Sequence, residues 1–449
     1  MPSLEPHNNI PAQNTGRLVL IQEIRSLLIS PALWTMLIIV SSLVGYSFMQ
    51  AVALFSQASK TALDYPELAT GMSPLVGIFV PTFGAYYLSQ TLLLPFIAIR
   101  AIGLDKYNGT LKLLLQLPLS SFKLCGVKLA AMILVWLASL IPALLALVLW
   151  QKAGGHIFWP EIFCLLTGHA LYSVTVITLA MFAATISDSL PTAAMFCLAA
   201  TLGSWVLDFA ASGKGDFIAL LGNFSFTGML RQFENGLLSS TYLISFLSIA
   251  VFFFLLTVFW LPPGKPNKQK IAATLACITG FVVINWASQQ APRFLDLTEN
   301  KLHSFSPEYS QALQQLDKPL TITINLDVQD SRLLDLQQDV LGKLQRTVPH
   351  LLVRYNNNGT SGLFSKENNE DYGLIQYNYA NKMDTSYSNS QEEILPIIFN
   401  LAGITPAKAV ISTPRGYPLV TEIIKGNILF YGILPLFFLG LAGYFRKKT

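Results

Sequence analysis

Eight long apolar runs dominate this sequence and set its class. A helix needs about 20 mostly apolar residues to cross the hydrocarbon core of a bilayer. Runs of that kind fall at residues 34–55, 75–99, 125–149, 162–185, 192–209, 243–261, 271–287 and 428–445. Composition agrees: 52% of the residues are hydrophobic and 12% charged, against about 25% charged in an ordinary soluble domain. A purely soluble enzyme, a disordered chain and a fibrous chain are excluded. The expected fold class is an α-helical polytopic membrane protein of about eight transmembrane helices, with a small α/β extracytoplasmic domain between the last two spans.

Lysine and arginine placement sets the expected orientation. With the N-terminus inside, Arg17, Arg25, Arg100, Lys106, Lys112, Lys123 and Lys128 lie at the cytoplasmic edge, as do Lys265, Lys268, Lys270 and the tail Arg446-Lys447-Lys448. The short outer loops hold only Lys60, Lys152, Lys214 and Arg231. Both termini are therefore expected inside a bacterial inner membrane. The net charge of +4 is accounted for by these edges and calls for no nucleic acid. No cleavable signal peptide is read in the polar to amphipathic first 33 residues, whose following apolar run is too long for one. Cys125, Cys164, Cys197 and Cys277 all fall in or at spans and form no metal or disulfide spacing, so packing is their expected role.

The chain divides accordingly. Residues 1–33 are a cytoplasmic N-terminus, in which Leu18, Ile21, Ile24, Leu27 and Leu28 keep helical spacing and predict an interfacial helix over 17–30. Residues 34–262 hold six spans, and 263–288 a cytoplasmic loop and the seventh. Residues 289–425, with 12 basic and 15 acidic residues and no cysteine, form one small outer domain. Residues 426–449 are the eighth span and a basic tail. In the outer domain, Ser306-Pro307 predicts a helix start, and Leu320, Ile322, Ile324 and Leu326 alternate as a half-buried strand. A helical stripe runs from Leu333 to Val348, strands are expected at 351–355 and 372–379, and 356–371 reads as a long loop. Ser390-Gln391-Glu392-Glu393 reads as a capping box opening a helix through Leu401. The alternation fits an α/β sandwich.

No GxxxxGK[ST] phosphate loop, HExxH or GxSxG occurs, so no enzymatic activity is expected of this chain. Asp296, His303 and Ser306 are close in sequence, but a triad is defined by geometry, and Ser306 is already explained as a cap. His169 in the fourth span and Asp208 at the end of the fifth are ionisable groups at membrane depth. Each is a candidate for lining a pathway; a neutral His169 bonded to a neighbouring helix, and an Asp208 in the headgroup layer, are the structural alternatives. Pro81 and Pro95 are expected to kink the second span. Asn108-Gly-Thr, Asn223-Phe-Ser and Asn358-Gly-Thr match the glycosylation triplet, the first on the inner side.

The cytoplasmic loop 100–123 is the most informative connection. Its stretch Leu104-Asp105-Lys106-Tyr107-Asn108-Gly109-Thr110-Leu111-Lys112-Leu113-Leu114-Leu115-Gln116-Leu117-Pro118 resembles a recurring loop of ABC-2-type permeases, with Lys112 where an acidic residue is usual. The helix over 17–30 followed by Pro31 is similar to that family's connecting helix. Residues Arg293-Phe294-Leu295-Asp296-Leu297-Thr298-Glu299-Asn300-Lys301-Leu302-His303-Ser304-Phe305-Ser306-Pro307 resemble the opening of the gliding-motility accessory family, so the chain looks like a GldF/GldG-like fusion with a shortened outer domain.

These resemblances imply an ABC transporter permease subunit working by alternating access with a separate ATPase subunit, which would hold the ATP and Mg; no cofactor is expected on this chain. They imply Asp105, Lys106, Gly109, Thr110 and Pro118 as the ATPase-coupling surface, Gly109 permitting the turn. A second permease copy, the lipid bilayer and a periplasmic protein are the other expected partners. A membrane-anchored assembly or adhesion platform without transport is the competing reading, and a solvated loop lying on the membrane is the structural alternative for residues 100–123.

Overall fold

In the computed structural model the described residues are 12–211, 222, 224–290, 292–326, 330–356, 371–406 and 415–448. Asn223 and Asn358 lie outside them, as does nearly all of the loop read at 356–371. Eight helices are long and apolar enough to cross a membrane. α1 (Ala12–Ile29) precedes them. The first spanning helix, α2 (Pro31–Asp64), begins with Pro31 in its first turn. The second is α3 (Val80–Tyr107), entered through a π turn at Leu75–Phe79. After the short α4 (Thr110–Leu114), the third span is broken into α5 (Ser121–Ser139) and α6 (Ile141–Lys152), with Pro142 opening the second piece. α7 (Trp159–Ile186) and α8 (Leu190–Ala211) follow. Beyond the amphipathic α9 (Phe226–Glu234) come α10 (Ser240–Trp260) and α11 (Asn267–Gln290).

Pro81 sits in the first turn of α3, where its missing N–H costs nothing, and only Pro95 lies inside that helix. α2 has 34 residues, about 50 Å at 1.5 Å per residue, and so overruns a hydrocarbon core of about 30 Å. Its overrun has a use. Ser59 Oγ accepts from Leu419 N at 3.0 Å and Ser56 Oγ from Thr421 N at 3.1 Å, so the chain returning to the last span lies along it. α11 shows most of its surface, including Leu275, Val282 and Trp286. It is held to α10 by its one buried residue, Asn285, which accepts from Ser245 Oγ and donates to Ser248 Oγ, each at 2.8 Å. Interhelical polar bonds of this kind do for helices in lipid what the hydrophobic effect cannot.

Between α11 and the last span lies a second core. β2 (Phe294–Asp296) pairs antiparallel with β1 (Leu237–Ser239), the short strand before α10. α12 (Pro307–Gln314) starts as Ser306 predicts, its Oγ accepting from Tyr309 N. Four strands follow: β3 (Leu320–Ile324), β4 (Leu351–Tyr355), β5 (Ile375–Tyr379) and β6 (Lys382–Ser386). They form a sheet in the order β4-β3-β5-β6, with only the β3–β4 pair parallel. Leu320, Ile322 and Ile324 face inward and Thr321 and Thr323 are half-buried, as the alternation requires. α13, Ser331–Leu336, continues through a π turn into Gly342–Thr347 and presents Leu333, Leu336, Val340 and Leu344 to that face.

α14 (Gln391–Ala402) begins where the capping box predicts, but the Ser390 side chain makes no cap bond; it accepts from Ser388 Oγ instead. Gly403, at φ +69°, closes this helix in the left-handed region. The eighth span, Lys425–Lys447, ends in α15 (Leu434–Lys447).

Candidate coupling surface and the helix that leads from it

α3, α4, α5 and α7 build the site at one end of the bundle. Asp105, in the last turn of α3, does not project freely. Its Oδ2 lies 2.5 Å from Lys128 Nζ of α5, which also reaches Glu23 Oε1 of α1 and the Ala101 carbonyl, each at 2.5 Å. The Lys128 side chain is wholly buried. One cation thus joins three helices. Burial raises the Glu23 carboxyl above its usual value, against the attraction of Lys128.

Lys106, the next residue, turns the other way. Its Nζ donates to the carbonyls of Ser187 at 2.7 Å and Thr185 at 3.2 Å, and lies 3.6 Å from Asp188. It caps the C-terminus of α7, where open carbonyls and the helix dipole favour a cation. Gly109, at φ +78°, then reverses the chain and α4 begins at Thr110. Leu111 is buried beneath it, while Thr110, Lys112, Leu113 and Pro118 are exposed, as is Tyr107. Asp105 and Lys106 therefore root the turn, and Tyr107, Thr110, Lys112, Leu113 and Pro118 form its free face.

Of the helical stripe read on α1, Ile24, Leu27 and Leu28 pack against the bundle core, but its first part is displaced. Leu18 and Ile21 are exposed, whereas Val19 is buried and Glu23 faces inward. Sequence reasoning missed Glu23 and counted Lys128 only as an edge charge. A lone acid among the aliphatic residues of α1 was the available signal.

α7 carries the site to the opposite end of the bundle. Its C-terminus holds Lys106, and its N-terminus meets the segment that leads into the second core. Glu161 Oε1 accepts from Glu299 N at 2.8 Å. Glu299 in turn bonds His156 Nε2 at 2.7 Å and accepts from the Tyr417 hydroxyl at 2.5 Å, with the His156 and Tyr417 rings stacked 3.7 Å apart. The bond to Glu299 raises the Tyr417 hydroxyl. Twenty-eight residues of helix, about 42 Å, separate the two ends.

The segment joining α11 to the second core is knotted around Asp296. Its carboxylate accepts from Thr298 N and Oγ1, His303 N and Ser304 Oγ. Burial alone would raise this carboxyl, but these four bonds outweigh it and hold Asp296 below its usual value. The His303 ring meets the Asn235 carbonyl at 2.8 Å. Asp296 meets His303 through its backbone N–H alone, while the His303 ring bonds Asn235 and Ser306 Oγ accepts from Tyr309 N, so the three side chains form no triad.

A group whose pKa is lowered on folding contributes stability above its unfolded value, near 3.9, that is lost as pH falls through the folded value. Asp296→Ala leaves buried donors unmet at about 1–3 kcal/mol each. Hydrogen exchange of residues 294–306 is expected to accelerate at neutral pH in this variant, and in the wild type only below about pH 4. Slow exchange in D296A would show that the knot holds nothing.

His169 lies near the middle of α7, fully buried, against the rings of Phe83 and Tyr86. Its Nε2 is 3.2 Å from Glu234 Oε1 on α9. Asp208, at the end of α8, also reaches α9, with Arg231 Nε at 4.0 Å. Both sequence-predicted ionisable groups thus converge on a helix that was read as an outer loop, though Phe226, Met229, Leu230 and Phe233 keep helical spacing. Cys125, Cys164 and Cys197 are buried and Cys277 half-buried, as packing residues. Comparison with protein-family models, with curated proteins and with solved structures finds no match for the chain.

Proposed function

We propose that the chain is the membrane-spanning permease subunit of an ABC transporter, fused to a gliding-motility-accessory-like outer domain. The observation that carries this reading is α7, whose one end is clamped by the root of the 104–118 turn and whose other end bonds the segment that leads into the outer domain. A separate ATPase, binding ATP and Mg, docks on the face formed by Tyr107, Thr110, Lys112, Leu113 and Pro118. Its closure moves the turn as one body because Asp105 and Lys106 fix it to α1, α5 and α7. α7 passes that motion along the bundle, and alternating access follows in a complex with a second permease copy. Both termini and the turn lie in the cytoplasm of an inner membrane, and residues 289–425 in the periplasm, where a protein partner is reached.

The full-length tagged protein, isolated from its own membranes in mild detergent, is expected to retain an ATPase at near one-to-one ratio. Tyr107→Glu with Leu113→Glu should release it, since neither side chain supports the fold. Outer proteins alone, with no ATPase in several detergents, would sink the transporter reading and favour an assembly platform.

A further inference from the structure

The interface of α3 and α7 holds more polarity than its own hydrogen bonds use. Gln90 on α3, and His169 and Ser173 on α7, are fully buried. Both amide atoms of Gln90, both ring nitrogens of His169 and the Ser173 hydroxyl have no protein hydrogen-bond partner. His169 Nε2 is close enough to Glu234 for charge attraction, but the pair lacks hydrogen-bond alignment. Leaving such groups unmet is costly, and more so in lipid, where no bulk water relieves them.

The three residues lie together by helix geometry. The Tyr86 ring meets the His169 ring edge-on, and Thr91 bonds Tyr172 at 2.6 Å, so the two helices run in the same direction. Gln90 and Ser173 are each four residues beyond Tyr86 and His169, one turn along the same faces. The neighbouring hydroxyls are already engaged: Tyr86 with Ser139, Tyr172 with Thr91, and Tyr87 with Thr227. His169, Gln90 and Ser173 are what remains for another molecule.

We propose that this seam is a hydrated proton-binding site, in which water held by Gln90 and Ser173 delivers a proton to the His169 imidazole and Glu234 serves as counter-ion. The proton comes from bulk water: each water in the seam takes up one proton as it passes another on, so every O–H bond broken is matched by one formed and the net change is one proton gained by a ring nitrogen. Two carboxylates or two amides would not suit this: a titrating base beside a single acid can gain charge without leaving it unpaired.

The charged and titratable groups facing His169 are few. α9 brings Glu234, with Arg231 a turn earlier beside Asp208 of α8. α3 brings Tyr86 and Tyr87, its charges lying at the far end with Asp105 and Lys106. α10 brings Tyr242, and α5 carries Lys123, Cys125 and Lys128 near that same far end. On α7 itself Tyr172 is one turn away, the buried Cys164 between one and two turns and Glu161 two turns, and α8 also carries the buried Cys197. The site stands whether or not an ATPase docks on the turn.

The test is nitrogen-15 solid-state NMR on the full-length protein in lipid bilayers, with histidine labelled and water-to-protein transfer recorded. The chain has five histidines. Replacing His7, His156, His303 and His350 one at a time assigns the fifth without altering the seam, and H169N checks it. The His169 ring is expected to receive magnetisation from water and to show its charged form when the bilayers are acidified. E234Q should abolish the charged form, and Gln90→Leu should diminish the water transfer. A ring that stays neutral throughout, or one shielded from water, overturns the proposal.

Discussion

Lys128→Met is expected to be among the most damaging single substitutions in the bundle. It leaves the Glu23 and Asp105 carboxylates facing each other without their cation, and breaking a buried ion pair from one side costs about 3–5 kcal/mol. The midpoint of thermal unfolding in detergent should fall sharply. Glu23→Gln alone should cost far less, because burial already disfavours the charged form of Glu23 and Asp105 still meets Lys128. Combining Lys128→Met with Glu23→Gln and Asp105→Asn removes all three charges and should recover most of the loss, since well-packed neutral replacements of buried ion pairs are often tolerated. Wild-type stability in Lys128→Met would mean that the cation does not hold α1 and the turn together.

Gly109→Pro should have the opposite profile, a large functional loss at little cost in stability. Proline fixes φ near −65°, whereas Gly109 sits at +78° and donates its N–H to the Lys106 carbonyl at 3.3 Å. The turn must therefore be rebuilt, and its free face with it. The segment is exposed, with nothing packed around Gly109, so the bundle should keep its unfolding midpoint within about 2 kcal/mol of free energy. In proteoliposomes containing the copurified ATPase, nucleotide hydrolysis should drop to the rate of the ATPase alone. Gly109→Ala, costing about 1–2 kcal/mol of left-handed strain, should retain part of the coupling. Unchanged hydrolysis in Gly109→Pro would remove the turn from the coupling path.

The spans were legible because the bilayer imposes a length and an apolar composition that a linear reading can count. The interior of the second core was legible for a related reason: Leu320, Ile322 and Ile324 alternate with period two, and Leu333 to Leu344 repeat at helical spacing. Ser306 announced its helix because a cap is a local bond, made within three residues. At Ser390 the same logic placed the helix start but not the bond, since Ser388 competes for the hydroxyl. β6, with two of five residues half-buried and none fully so, has no pattern strong enough to read.

The sequence by itself determined the eight apolar helices, the second core between the seventh and eighth, and the polar turn after the second span. Each of these depends on residues near one another in the chain. The tertiary structure decided which charges meet. Glu23, Asp105 and Lys128 come from three helices, Lys106 finds the end of α7, and His169 finds Glu234 on a helix read as a loop. Coulomb attraction and desolvation depend on distance and burial in space. No spacing along the chain encodes either until the helices are packed.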